Sequence, residues 1–398
     1  MPAEVLSRRA LNRALLARQS LLARQPPAAA LTNLAASTGP ATPAKPTNPA
    51  GPTSPADQAL AMVEHLVGLQ AQAPFPPYYG LLARLEGFRP EHLAELLTSH
   101  AVVRIALMRG TIHLVSADDA LWLRPLIQPV LDRALASNFG KRLPGVDLAA
   151  VAEAGRVLTT ADPLTFAELG ELLTQDWPGH PADALAQVVR ARVPLVQVPP
   201  RAVWGKSGLA RHTPTDVWLG RPLAEKPSLE VMVERYLTAF GPATVQDVQA
   251  WSGLTRLREV IDPMRDRLRV FADEQGRELF DRPGAPRPGP DSPAPVRLLP
   301  EYDNLILSHD DRTRIMSDPD RRDLFQYLNV FPGSVLLDGF VAGLWRVKRA
   351  RGTVTVTIEL FRSRVPARDK NEIAAEADRL LAVTAPAATH EVRITTAE

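Results

Sequence analysis

Apolar and polar positions along the chain form a unit that recurs three times: helical stretches, then a short β-hairpin with Arg or Lys near its turn. In the second copy, Thr165 and Glu168 predict a helix start, because this pair can satisfy the free amides of a first turn. Residues 180–192 follow as a second helix, and residues 195–198 form a strand that leads into a basic turn.

The third copy repeats this order with the same type of helix start. Thr244 and Asp247 form the capping pair, and residues 255–265 are predicted to be the next helix. The alternating segments 268–271 and 278–280 then pair across a polar turn, which predicts a hairpin.

The first copy is fainter and ends in two strands, residues 102–109 and 110–115. Helices followed by a hairpin are the order of a winged helix, which normally places a helix in a DNA groove. Repeats at this spacing favour tandem modules over one large core. An ordinary α+β chain with three unrelated hairpins is the alternative.

The fold class predicted from these patterns is α+β, with three tandem winged-helix modules before a small C-terminal α+β domain. The modules are placed at residues 3–115, 148–215 and 228–282, a Pro/Gly-rich linker at 283–295, and the last domain at 296–398.

Alternating apolar residues define the C-terminal domain. Strands are predicted at residues 335–341, 343–348 and 353–358, followed by a helix at 367–382 and a last strand at 390–395.

The first module contains a segment without hydrophobic periodicity. Residues 26–56 are dominated by Pro, Ala, Thr, Ser and Gly, and this composition predicts a disordered insertion. The insertion ends where Ser54, Pro55 and Asp57 predict the N-cap and first turn of a helix.

The N-terminal segment lacks the apolar core and the cleavage site of a secretory signal, but it is Arg-rich and amphipathic like a transit peptide. Four leucines recur close to the helical period, which favours a packed first helix over a transit peptide. They are Leu6, Leu11, Leu15 and Leu22. Without an apolar stretch of about 20 residues, the chain is expected to be cytoplasmic and not to contact a membrane.

The composition of the chain limits the kinds of binding site and catalytic group that it can contain. With 46 basic and 44 acidic residues, any DNA-binding face must arise from local segregation of charge. The chain has no cysteine, which excludes disulfides, zinc ribbons and thiol nucleophiles, and its eight histidines form no recognisable ligand motif. No metal site is predicted.

Two glutamines stand at the end of an apolar segment, just before Pro74. Gln70 and Gln72 are predicted at a helix end, with a change of backbone geometry near Ala71 that lets the two amides converge. Neutral amides both donate and accept hydrogen bonds, so a pair can orient a water and hold a sugar or a base edge. They are weak acids and bases, which restricts them to substrates with good leaving groups. Glutamines at a helix end are also common in purely structural roles.

Three motifs, at residues 68–72, 108–114 and 299–305 with Ser308 and His309, resemble the AlkZ/YcaQ-like bacterial winged-helix DNA glycosylase superfamily. The resemblance extends over nearly the whole chain except the insertion. It implies three winged helices and a C-terminal β-domain in a C-shaped molecule that binds double-stranded DNA.

The resemblance also implies an activity: excision of alkylated purines, notably bulky N7-alkylguanine adducts and interstrand crosslinks. A Gln–apolar–Gln motif carries catalysis in the AlkZ-like branch, and Gln70 and Gln72 match it. None of the three motifs contains Lys, so a Schiff-base lyase step is not supported and simple hydrolysis by a monofunctional enzyme is expected. The chain is also expected to be a monomer and to use no cofactor. The alternative is a non-catalytic DNA-binding protein such as a transcriptional regulator.

Further site residues follow from their position in turns and strands. The candidates for the cleft are Thr111, His113, Glu301 and Asp303. The alternative for His113 is a strand histidine bonded to the backbone, and the alternative for Glu301 and Asp303 is loop capping. The candidates for contacts with DNA phosphates are Arg109, Arg201, Lys206, Lys348, Arg349 and Arg351.

Overall fold

Three β-sheets organise the part of the chain that the computed structural model describes, which is residues 4–26, 54–317, 319–320 and 332–397. The strands are β1 Glu4–Leu6, β2 Leu69–Gln70, β3 Val102–Ala106, β4 Ile112–Ser116, β5 Leu195–Gln197, β6 His212–Pro214, β7 Arg269–Asp273, β8 Glu278–Asp281, β9 Arg297–Leu299, β10 Gly333–Leu337, β11 Phe340–Ala350, β12 Thr353–Leu360 and β13 Thr389–Thr396. Residues 27–53, nearly all of the predicted insertion, lie outside the described residues.

Helices flank and connect these sheets. They are α1 Arg8–Arg18, α2 Pro55–His65, α3 Pro76–Arg84, α4 Pro90–Thr98, α5 Ala117–Leu126, α6 Gln128–Phe139, α7 Leu148–Ala161, α8 Phe166–Leu173, α9 Ala182–Arg192, α10 Thr215–Leu219, α11 Leu229–Phe240, α12 Val245–Ser252, α13 Arg258–Ile261, α14 Asn304–Leu307 and α15 Ala367–Thr384. The mixture confirms the α+β class.

The predicted helix starts are confirmed by capping hydrogen bonds. Reciprocal capping boxes begin α2 at Ser54, α8 at Thr165 and α12 at Thr244. The prediction of one helix over residues 255–265 is wrong in detail, since α13 has only 4 residues and a 3-10 helix, Asp262–Arg267, continues it.

The hairpins of the first and second copies join in one antiparallel sheet of order β2-β4-β3-β5-β6. The junction is the β3–β5 pair, in which Arg104 lies opposite Gln197 and Ile105 opposite Val196. A large cluster of buried apolar side chains includes residues from Leu15 to Ala385, and a second, small cluster joins Leu11, Phe271 and Leu279. The module boundaries and the winged-helix assignment stay predictions.

The third hairpin, β7–β8, forms as predicted, and the N-terminus extends it to a sheet of order β1-β7-β8. β1 pairs in parallel with β7, with Glu4 opposite Phe271. Leu6 therefore belongs to a strand, and the first helix runs only from Arg8 to Arg18. A buried ion pair between Arg18 and Asp281, at 2.7 Å, fixes α1 against β8.

The C-terminal sheet has the order β13-β12-β11-β10-β9, with β12 and β13 parallel. The predicted strand 335–341 is wrong, because Asp338 and Gly339 form a turn between β10 and β11, with φ of 48° and 80°. Asp-Gly is a strong hairpin signal, since both positions of such a turn need positive φ.

None of the helices within the described ranges combines the length and the apolar composition that a membrane span requires.

Candidate active site

The segment that carries Gln70 and Gln72, residues 67–73, is termed the Gln loop. α2 ends at His65, and the chain turns sharply at Val67 and Gly68, with φ of 53° and 93°. A Cβ on Gly68 would lie 2.5 Å from Cγ1 of Val115, so only glycine allows this close approach. The prediction that the glutamines end a helix is therefore wrong: Gln70 lies in the short strand β2.

β2 pairs with the edge of β4, and this pairing brings both amides to the β3–β4 turn. Gln70 lies opposite His113, and the Ala71 amide donates to the Ile112 carbonyl at 2.7 Å. One residue further, the Gln72 side-chain oxygen accepts from the Ile112 amide at 3.2 Å. Both glutamines thus contact the β3–β4 turn from an extended segment rather than from the end of a helix.

Hydrogen-bond partners fix the orientation of both amides. Arg109 Nη2 donates to Gln70 Oε1 at 2.7 Å, and the Ile112 amide donates to Gln72 Oε1. A guanidinium and a backbone N–H group can only donate hydrogen bonds, so the glutamine atom that contacts each of them must be the side-chain oxygen. Each Oε1 keeps one acceptor position, and each Nε2 is presented as a donor.

Arg109 lies in the turn Met108–Gly110 with a left-handed φ of 57°. Its Nη1 donates to the Trp251 carbonyl at 2.5 Å, and a Cβ on Gly253 would lie 3.3 Å from its Cα. Burial, with a smaller contribution from Arg312, lowers the pKa of Arg109 to about 10. The guanidinium is therefore cationic at neutral pH, and the half-buried side chain binds Gln70 and the Trp251 carbonyl of α12.

Two side chains that were not predicted as site residues hold the backbone of the Gln loop. Buried Arg104 donates to the carbonyls of Ala71 and Ala73, at 2.8 and 3.3 Å. Asn304 donates to the Gly68 carbonyl at 2.7 Å. The sequence did contain a signal for Arg104, because it is a charged residue within the otherwise apolar strand β3. A buried charge requires hydrogen-bonding partners, so such a residue is expected to bind a specific part of the structure.

His113 and Thr111 lie beside the amide pair. Burial, and secondarily the nearby Arg109, lowers the pKa of His113 to about 3, so its imidazole is neutral at physiological pH. One ring nitrogen, Nδ1, lies 3.1 Å from the Thr111 carbonyl, while the Thr111 hydroxyl donates to the Met108 carbonyl at 3.1 Å. Both residues therefore shape the turn under the Gln loop.

Glu301 and Asp303 have different environments although they are two residues apart. Asp303 forms a bidentate ion pair with Arg84, with both distances 2.8 Å and both side chains 0% exposed. It also accepts from the Leu305 amide at the start of α14. The prediction of Asp303 as a cleft residue is wrong, and the capping alternative holds. Glu301 instead lines a pocket, where burial raises its pKa.

The remaining predicted cations lie on two loops. Lys206 is exposed between β5 and β6, while Arg201 is half-buried and donates to the Gly208 carbonyl at 3.2 Å. Lys348, Arg349 and Arg351 are exposed at the β11–β12 turn. Arg349 also donates to the Thr384 carbonyl at 3.2 Å, and its guanidinium lies 5.8 Å from the Trp204 ring centroid.

An aromatic cluster next to the Gln loop was not predicted. Phe75 and Trp204 meet edge to face at 5.3 Å between centroids, and Tyr79 contacts Trp345 similarly at 5.5 Å. Phe75 is 37% exposed and Trp345 is buried. The run Phe75 to Tyr79, with three aromatic residues and two prolines, was the signal in the sequence. In the described part of the chain, no group of three or more His, Asp or Glu side chains could hold a metal ion.

The chain belongs to a class of DNA-repair enzymes, the DNA glycosylases, as its match to a family shows. A family model described as DNA glycosylase AlkZ-like matches residues 63–383, most of the chain. The chain therefore belongs to the AlkZ-like DNA glycosylase family, which confirms the resemblance inferred from the three motifs.

The structure is similar to that of the Streptomyces sahachiroi DNA glycosylase AlkZ, with a TM-score of 0.72 and 19% sequence identity. The similarity covers 98% of this chain and 100% of that chain, and at this identity it shows a shared fold. No curated protein sequence matches the chain significantly.

Proposed function

We propose that this chain is a monofunctional DNA glycosylase that hydrolyses the N-glycosidic bond of bulky N7-alkylated purines, including those in interstrand crosslinks. Gln70 and Gln72 are the catalytic residues of this proposal. The observation that carries it is the fixed orientation of the two amides by Arg109 and the Ile112 amide.

The chemistry of the substrate suits this pair. N7-alkylation makes the purine cationic, so the base leaves without being protonated, and it becomes neutral as the bond to the sugar breaks. Acceptor atoms of the departing base gain electron density during this step, and the Nε2 donors bind them more strongly in the transition state than in the ground state. The free acceptor position of each Oε1 can orient the attacking water.

Simple hydrolysis is the reaction type supported by the neighbouring side chains. Around the amide pair lie Arg104, Arg109, Thr111 and His113, and none of these is a lysine that could form a Schiff base. His113 is neutral at physiological pH because its pKa is about 3, so it is not a general acid there.

The proposal includes a monomer with a DNA-binding surface on three winged-helix modules, at residues 3–115, 148–215 and 228–282, and on the C-terminal domain at residues 296–398. Exposed Lys206, Lys348 and Arg351 would contact phosphates without regard to sequence. Arg109 is assigned to positioning Gln70 rather than to DNA.

The test is excision from a labelled duplex that contains one N7-methylguanine. Incubation with the full chain followed by hot alkali should cleave the labelled strand at the lesion, whereas an identical unmodified duplex should remain intact. A set of larger N7-alkylguanine adducts and a crosslinked duplex would extend the assay to bulky substrates. Binding of all these duplexes without cleavage of any would contradict the proposal and favour a non-catalytic DNA-binding protein.

A further inference from the structure

A pocket of about 480 Å³ opens beside the Gln loop, between α3, the loop before α14 and strand β11. The residues that line it and that matter here are Phe75, Tyr79, Glu301, Trp345 and Arg349. Its size is that of a small-molecule site, and aromatic walls with a few polar groups are typical of such sites.

The Glu301 carboxyl has no partner in this pocket. Among the described residues it forms neither a hydrogen bond nor an ion pair, and burial alone raises its pKa. The two arginines of the pocket wall have other partners: Arg346 lies 3.2 Å from Glu359, while Arg349 donates to the Thr384 carbonyl and also hydrogen-bonds Tyr79 in the pocket. A desolvated carboxyl without a partner is costly, and a cationic or donor-rich ligand would remove that cost.

The pocket adjoins the catalytic amides along the chain. Phe75, whose ring is 37% exposed in the pocket wall, follows Gln72 by three residues. Three residues span at most about 11 Å even when fully extended, so the pocket wall begins within one nucleotide's reach of Gln72.

We infer that this pocket receives the extruded N7-alkylguanine base of a lesion confined to one strand, stacked on Phe75, with Glu301 accepting hydrogen bonds from its N1–H and exocyclic amino group. This inference rests on the proposed glycosylase function and adds a recognition site to it. A base must leave the stack to be held in this way.

The chemistry of the pocket favours this occupant over others. A carboxylate has two acceptor oxygens, which match the two adjacent donors on the guanine edge, whereas adenine offers one donor beside an acceptor. The positive charge of an N7-alkylated ring attracts both the carboxylate and the aromatic faces, and ordinary guanine lacks this charge. A phosphate would be repelled by Glu301.

The first experiment measures binding directly, without any reaction. The full-length protein is titrated calorimetrically with N7-methylguanosine and with guanosine, in mildly acidic buffer that keeps N1 protonated. We expect the cationic nucleoside to bind at least about 10-fold more tightly, because a charge-assisted contact contributes well over 1 kcal/mol. Glu301→Gln and Phe75→Leu should each remove most of this preference, and Glu372→Gln on the exposed face of α15 should keep it.

The second experiment measures single-turnover excision from the N7-methylguanine duplex with the same variants. Glu301→Gln and Phe75→Leu should each slow excision by about 10-fold or more, while the affinity for unmodified duplex is retained. The pocket inference is overturned if the wild-type protein does not prefer N7-methylguanosine, or if both variants bind and excise like wild type.

The two proposals fail in different ways. If the wild-type protein excises the base but shows no preference for N7-methylguanosine, the glycosylase function is supported and the pocket is rejected as the base-binding site. Preferential nucleoside binding that depends on Glu301, without excision, would support the pocket and contradict the catalytic function.

Discussion

The Gln loop and the β11–β12 turn, residues 348–352, both carry polar side chains that the proposed function uses, but they are held in opposite ways. The Gln loop is fixed by Arg104 on the carbonyls of Ala71 and Ala73 and by Asn304 on that of Gly68. At the β11–β12 turn, Lys348 and Arg351 extend into solvent.

The difference corresponds to two kinds of task. Amides that act on a single glycosidic bond must be preorganised, since a small displacement lowers the rate steeply. Cations that contact DNA phosphates do not need a fixed side-chain conformation, because the attraction to phosphate is long-ranged and depends little on geometry. Arginine therefore serves two purposes in this chain, as an internal brace and as a surface cation. Arg13, Arg18, Arg84, Arg104 and Arg124 are each at most 1% exposed.

The largest expected effect concerns the buried ion pair that joins Asp303, at the start of α14, to Arg84 of α3. Asp303→Asn leaves the Arg84 guanidinium buried without a counter-charge, which should lower the free energy of unfolding by about 3–5 kcal/mol. Urea denaturation measures this loss. The surface pair Arg142–Asp183 offers the control, because Asp183→Asn should change stability little. Equal, small effects of both variants would contradict a structural role for Asp303.

The second prediction concerns Arg109 and separates positioning from DNA contact. Arg109→Met frees the Gln70 amide, and the single-turnover excision rate should fall by about 10-fold or more while DNA affinity is nearly unchanged. Arg109→Lys keeps the charge but not both hydrogen bonds, so it should be impaired as well. A variant with weaker DNA binding and a normal rate at saturation would instead restore Arg109 to the DNA-binding surface.

The sequence was sufficient to predict those structural elements that depend on residues close together in the chain. The capping pairs at Ser54, Thr165 and Thr244, and the hairpins β3–β4 and β7–β8, depend on neighbouring residues and were predicted. The family motif also singled out Gln70 and Gln72, whose catalytic role stays a prediction.

The rest depends on contacts between distant residues. Gln70 pairs with a strand 43 positions away, since its partner is His113, and no local pattern specifies that pairing. Likewise, only the folded chain shows that Asp303 meets Arg84 while Glu301 meets no partner among the described residues. The β1–β7 pairing, which joins residues 4–6 to 271–273, was missed for the same reason.

The third prediction concerns acid stability near the Gln loop. The pKa of His113 is about 3 in the folded chain, against about 6.5 for an unfolded one. Between these values the unfolded state binds more protons, so stability falls as the pH falls from about 6.5 towards 3, by up to several kcal/mol. His113→Asn should flatten the dependence of unfolding free energy on pH in this window. An unchanged slope would show that His113 is not buried in its neutral form.

The smallest expected effect concerns the free cations. Lys348→Ala with Arg351→Ala should weaken duplex binding by about 10-fold and reduce the slope of log affinity against log salt by about 1–2. Arg349 is left in place because it contacts Trp204 and Thr384. Arg368→Ala, on the 86%-exposed side chain in α15, is the matched control. If the double variant keeps wild-type affinity at low salt, the β11–β12 turn does not contact DNA.

The central claim, that the oriented amides of the Gln loop perform the excision, is tested most directly by Gln72→Ala in a single-turnover assay on N7-methylguanine duplex. We predict a loss of excision rate on the order of 10²-fold or more, with unchanged duplex affinity and unchanged unfolding free energy. Gln246→Ala, at an exposed glutamine in α12, should retain the full rate. A Gln72→Ala protein that excises at the wild-type rate would contradict the account.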